Sequence, residues 1–132
     1  MNKSLNSILW IFKFLAAVIL LQTLYFKFTA HPDSVYIFKT LGVEPFGRVG
    51  AGISELIASI LILVPKTSFY GALMGMGIMI GALLSHIFVL GIDVNNDGGL
   101  LFSLGVITFI SCLIVAGITY YSNKIKSIHN AN

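Results

Sequence analysis

FGRVGAGISELIASILILV (residues 46–64) and FYGALMGMGIMIGALLSHIFVL (residues 69–90) are separated only by Pro65-Lys66-Thr67-Ser68. Each run is close to the roughly 20 apolar residues that carry a helix across about 30 Å of hydrocarbon. So short a connection joins antiparallel neighbours. The pair therefore reads as a helical hairpin in lipid. A closed barrel is the other way to cross a bilayer, but runs of this length without period-two alternation argue against it.

Two further runs flank the hairpin, Ile8 to Phe26 before it and Leu100 to Tyr121 after it. The expected fold is an all-α, four-helix transmembrane bundle with short loops. It is a single domain over residues 1–132, with spans at about 8–26, 46–64, 69–90 and 100–121. The N-terminal run has a lysine and an apolar stretch like a signal peptide. No A-x-A site follows it, and Phe28-Thr29-Ala30 is a poor substitute, so a retained helix is expected.

Composition supports lipid as the solvent. Of 132 residues, 57% are hydrophobic and 10% charged, with a mean hydropathy of +0.94. Soluble domains run near 45–50% apolar and about 25% charged. A chain this small could not hide so much apolar surface from water, and it is too apolar to remain disordered. The net charge of +3 comes from eight basic and five acidic residues, and no two basic residues are adjacent. That is too scattered for a nucleic-acid footprint. Cys112 is the one cysteine. It can close no intrachain disulfide and forms no C-x-x-C relay, which excludes a self-contained dithiol oxidoreductase. Within its apolar run it is expected to pack as a small hydrophobe.

Lysine placement sets an expected topology. With both termini cytoplasmic, the inner side holds Lys3, Lys66, Lys124 and Lys126, as the positive-inside rule favours. The outer side then holds Lys27 and Lys39, offset by Asp33 and Glu44, with Asp93 and Asp97 in the last outer loop. The connection 27–45 predicts a short helix on the outer face, interfacial or re-entrant, with Asp33 capping its first turn and Gly42 ending its last. Gly91 to Gly99 carries turn residues.

Polar groups inside spans are costly and need a reason. Arg48, Gly52, Glu55 and Ser59 are spaced 4, 3 and 4 and share one helical face. Arg48 and Glu55 are about 10 Å apart along the axis, a long reach for a direct pair, so each is expected to meet other partners. Gln22 and Tyr25 fall in the outer part of the first span, with Lys27 and His31 just beyond, and His86 lies near the outer end of the third. The candidate ligand-binding set is Gln22, Tyr25, Lys27, His31, Arg48, Glu55, His86 and Asp97. Lys13 is the inner exception, expected to snorkel. Gly71, Gly75, Gly77 and Gly81, with two G-x-x-x-G spacings, predict close helix packing. On the fourth span, the Thr and Cys members of the Gly105, Thr108, Cys112, Ala116 and Thr119 stripe can satisfy a neighbour's backbone.

Two readings of the outer cluster stay open. One is a structural network of ion pairs and hydrogen bonds tying the helices together. The other is a pocket for the polar head of an amphiphile, in which Arg48, Tyr25 and His86 donate to a quinone carbonyl or anionic head and Glu55 accepts a proton. His31 and His86 are weak evidence for a metal or haem, without C-x-x-C-H or H-E-x-x-H spacing. No phosphate-loop or dinucleotide fingerprint is present. A channel would need polar groups along its whole length. A small transporter is a third class, and four spans would then need an oligomer.

One segment carries a family resemblance. Lys27-Phe28, His31-Pro32-Asp33-Ser34, Gly42-Val43-Glu44-Pro45-Phe46-Gly47-Arg48 and Glu55-Leu56-Ile57 with Pro65 resemble the DoxX-like family of small bacterial membrane proteins. The His86 region and Asp97-Gly98-Gly99 are similar to that family's third helix and last outer loop. The resemblance covers most of residues 15–121 and is specific over 27–65. It implies a four-helix protein of the bacterial inner membrane. That family includes the small DoxD-type subunit of a thiosulfate:quinone oxidoreductase, and other members are thought to act with redox or stress-response partners. The reading reached is an accessory subunit that binds a quinone or lipid-like small molecule in an outward-facing polar pocket. No catalytic residue and no metal site is assigned. Expected partners are membrane lipid, a quinone and a membrane or periplasmic redox protein, with oligomerisation left open. Cofactor chemistry would belong to the partner. The alternative is a structural or assembly protein whose buried charges only stabilise the bundle.

Overall fold

The computed structural model describes residues 1–131. Its elements are α1 (Lys3–Phe28), α2 (Pro32–Thr40), α3 (Phe46–Leu63), α4 (Ser68–Ser85, continued by a π-helical turn His86–Leu90) and α5 (Leu100–Asn130). Four of these helices are long and apolar enough to cross a membrane, and α2 is the short one between the first two. Around the bundle the order is α1, α3, α4, α5 and back to α1. Sequence neighbours are thus spatial neighbours in an up-and-down bundle, as short loops dictate. One end carries α2 and the 91–99 loop. The other carries the two chain termini and the α3–α4 turn, and is called the terminal end below.

That turn shows how four residues suffice. The last carbonyls of a helix have no partner within it. Here Thr67 Oγ1 donates to the Leu61 carbonyl at 2.9 Å, and Ser68 Oγ donates to those of Ile62 at 2.8 Å and Val64 at 2.9 Å. The next helix therefore caps the previous one, and Pro65 prevents α3 from continuing.

The core is made of small side chains. Ala16, Ala58, Ala72 and Cys112 are fully buried beside Leu20, Ile62 and Val115. In lipid, helices associate through close packing rather than escape from water. Gly71 lies against the Leu61–Ile62 backbone and Gly75 against Cys112 Sγ. Gly77 and Gly81 do not follow suit. A side chain at either would meet open space, so the second G-x-x-x-G spacing is not a packing face within the chain. The hydroxyls of α5 also differ from expectation. Thr108 and Thr119 donate to Leu104 and Val115 of their own helix, not to a neighbour.

Helix ends depart from the hydropathy boundaries. The 31-residue α5 is about 46 Å long at 1.5 Å per residue, against about 30 Å of hydrocarbon. Its last turns carry Lys124, Lys126 and His129, all exposed. Hydropathy marks where lipid ends, and the helix continues because no Gly or Pro stops it. In α2 the N-cap is His31 rather than Asp33: its Nδ1 accepts from the Asp33 backbone N–H at 3.3 Å, and Pro32 opens the helix. Gly42, at φ +76°, follows the last turn as expected.

Lys13 is a correction of another kind. It is 1% exposed, and its ammonium sits 3.7 Å from the centre of the Trp10 ring. Long helical side chains lean toward the N-terminus, so Lys13 heads for the terminal end as a snorkelling lysine would. It does so with its stem inside the bundle and its ammonium over the indole, where a cation–π contact supplements what solvent the charge still reaches.

Candidate functional site

The Arg48, Gly52, Glu55 and Ser59 face is buried along its whole length. Arg48 and Glu55 do not pair with each other, and each has found other partners. Glu55 Oε2 lies 3.0 Å from the Lys27 ammonium, with side-chain exposures of 7% and 13%, and accepts from Thr23 Oγ1 at 2.8 Å. Arg48 Nε donates to Glu44 at 2.8 and 3.1 Å, and its Nη1 donates to the Lys27 carbonyl. One polar chain therefore runs Glu44, Arg48, Lys27, Glu55, Thr23, stitching α1 to α3. Among the described residues no buried polar side-chain atom lacks a partner, as the cost of burying an unpaired charge requires.

Beside this chain lies a cavity of about 680 Å³ in the α2 half of the bundle. All five helices contribute to its wall, mostly with apolar groups such as Ile19, Phe38, Met79 and Leu104. Gln22, Lys27, Glu55, His86 and Asp97 of the expected set line it. Gln22 does so while remaining exposed. Tyr25, His31 and Arg48 do not line it. Tyr25 is 67% exposed on the outside of α1, His31 caps α2, and Arg48 serves the α1–α3 seam. The 3.6-residue period finds a face, but helix rotation decides which neighbours share a space. Thr23 and Glu44 were missed. Glu44 lies four residues before Arg48, and that spacing was the available signal, whereas Thr23 meets Glu55 across the seam, which no local spacing marks. Among the described residues, no three His, Cys, Asp or Glu side chains gather to hold a metal ion.

His86 opens the π-helical turn. π turns are rare and frequent at functional sites, and here the Gly91 N–H reaches back to the His86 carbonyl at 2.8 Å. The ring is 4% exposed. Its Nδ1 is 2.9 Å from the Gly91 carbonyl, and its edge meets Phe102, with 5.7 Å between centroids.

Asp97 organises the cavity's loop end. Its carboxylate accepts from the N–H groups of Val94 at 3.1 Å, Gly99 at 2.8 Å and Leu101 at 3.1 Å, starting α5 in the manner of a cap. Burial works against its ionisation, but those N–H groups, Leu101 foremost, outweigh it and hold the carboxyl below its ordinary value of 3.8. A carboxylate held low in the folded state stabilises above its unfolded value, and that contribution fades as pH falls through the folded one. Asp97→Ala is therefore expected to cost about 1 kcal/mol at neutral pH. Unfolding of detergent-solubilised protein, followed by circular dichroism, should show wild type losing stability below about pH 4. The variant should lack that part of the loss.

Set against protein-family models, curated proteins and solved structures, the chain matches none of them. The structure supports a small all-α protein of four long apolar helices with buried, paired charges. None of these comparisons ties it to the DoxX-like family.

Proposed function

We propose that the protein is a DoxX-like accessory subunit of the bacterial inner membrane that binds a quinone or lipid-like small molecule in the cavity of its α2 half. On this reading both termini are cytoplasmic, the cavity faces outward, and a membrane or periplasmic redox protein supplies any cofactor chemistry. The observation that carries it is a largely apolar space of about 680 Å³ into which Lys27, Glu55, His86 and Asp97 converge. Ligand sites are commonly clefts of about 300–1,000 Å³ with a few placed polar groups.

The test is mass spectrometry of small molecules retained through gentle detergent purification, comparing wild type with Gly81→Leu. Gly81 lines the cavity, and a side chain there would enter open space. The variant should therefore fill the site without straining the helix. A quinone or defined lipid at near-stoichiometric level in wild type, lost in the variant, is the expected result. An empty wild type, or the same bulk lipid in both, would move the reading to a structural or assembly protein. That second reading is favoured by the polar chain itself, whose members already have partners without any ligand.

A further inference from the structure

Most polar groups around the cavity are already engaged. The hydroxyls of Thr23, Ser85 and Thr108 donate to Glu55 or to carbonyls of their own helices. Both Asp97 oxygens accept backbone N–H groups. Asn95 donates to Asp33 at 3.1 Å. His86 is different. A carbonyl oxygen can only accept, so the 2.9 Å contact with Gly91 requires the hydrogen to sit on Nδ1. In the neutral ring this leaves Nε2 as a bare acceptor. Nε2 makes no hydrogen bond, yet no buried polar side-chain atom among the described residues is unpartnered. Nε2 is therefore open, on a side chain that is 4% exposed and lines the cavity. Glu55 repeats the pattern: its contacts fall on Oε2, and Oε1 accepts no hydrogen bond. The Lys27 ammonium keeps donors of its own but is held at Glu55.

We infer that the cavity takes its ligand through a hydroxyl group that donates to Nε2 of His86, so that a hydroquinone or other hydroxyl-headed amphiphile is preferred over the corresponding quinone. This rests on the cavity being a ligand site. A quinone offers only acceptors, and seated there it would leave Nε2 dry and unpaired. An unsatisfied buried acceptor costs about 1–3 kcal/mol, so the hydroxyl form should bind about tenfold tighter.

The probes are a decyl-substituted hydroquinone under argon, its quinone, its dimethyl ether and decanol. Each is titrated calorimetrically into the full chain in detergent. Wild type should bind the hydroquinone about tenfold more tightly than quinone or ether. In His86→Asn the amide can still donate to the Gly91 carbonyl, but no atom remains at the Nε2 position. The preference should therefore vanish: the quinone no longer leaves an acceptor unpaired and the hydroquinone no longer finds one, so the tenfold gap should shrink to about twofold or less. Decanol bound with the same His86 dependence would support the hydroxyl requirement and point to a lipid alcohol as its source. Equal affinities for hydroquinone, quinone and ether in wild type would overturn the inference and leave the cavity reading standing. Hydroquinone preference that survives in folded His86→Asn would overturn the role of Nε2. Binding of no probe would overturn both readings. The wild-type comparison needs no variant, so it decides the preference even where His86→Asn fails to fold.

Discussion

Glu55→Leu on its own is expected to cost the bundle about 3–5 kcal/mol, and Lys27→Met/Glu55→Leu to recover most of that loss. The Lys27 side chain is 13% exposed, and among the described residues the counter-charge of its ammonium is Glu55 at 3.0 Å. Removing one member of a buried pair leaves the other charge without compensation. Replacing both with apolar groups removes the desolvation problem altogether. Thr23 would lose its Glu55 acceptor in either variant, but its hydroxyl can turn to donate to the Leu20 carbonyl, 2.9 Å away, so it is not orphaned. The measurement is reversible unfolding in detergent for wild type, the two single variants and the double variant. A double variant no better than Glu55→Leu would show that the carboxylate matters for something other than its ion pair. Full recovery of stability together with loss of a retained small molecule would separate folding from binding at the same residue.

Gly71→Ala should be the most damaging single methyl in the protein. A Cβ there would lie 2.6 Å from the Leu61 carbonyl carbon and against the Ile62 backbone nitrogen. Backbone cannot rotate aside as a side chain can, so α3 and α4 must separate just past their turn. The expected loss is about 3 kcal/mol, at the upper end of overpacking costs, although alanine is the better helix former. Gly77→Ala is the control. It meets open space and should be neutral or slightly stabilising. Unfolding midpoints of the two variants measured side by side give the comparison, and equal midpoints would refute the packing assignment.

These contacts show which parts of the molecule can be read from sequence. The four spans are legible because lipid imposes both a length and a lack of charge. The buried face of α3 is legible because Arg48, Gly52, Glu55 and Ser59 follow the helical period, and all four are buried. Partner choice is not legible in the same way. Whether Glu55 meets Arg48, Lys27 or Thr23 depends on the rotation and vertical register of α1, which no local pattern fixes. Tyr25 illustrates the same limit: three residues from Gln22, it nevertheless lies outside the cavity that Gln22 lines. The π turn at His86–Leu90 has no residue marker before Gly91. The extension of α5 past Tyr121 was hidden because hydropathy ends there, although Ser122 to Asn130 contains neither Gly nor Pro. Lys13 was misplaced because a lysine in an apolar run has two exits, lipid headgroup or aromatic shelter, and only the fold chooses.

The unequal packing of the two halves has a consequence for traffic across the membrane. At the terminal end, α3 and α4 touch backbone to backbone at Gly71, and Gly75 meets Cys112. Alanines and Ile62 fill what is left. At the α2 end the same helices line the open volume of the cavity. The described cavity thus lies in one half of the bundle, above a base packed with small residues. Any solute passing through would have to part α3 from α4 where they are tightest, a movement that Gly71 and the Thr67–Ser68 clasp both resist.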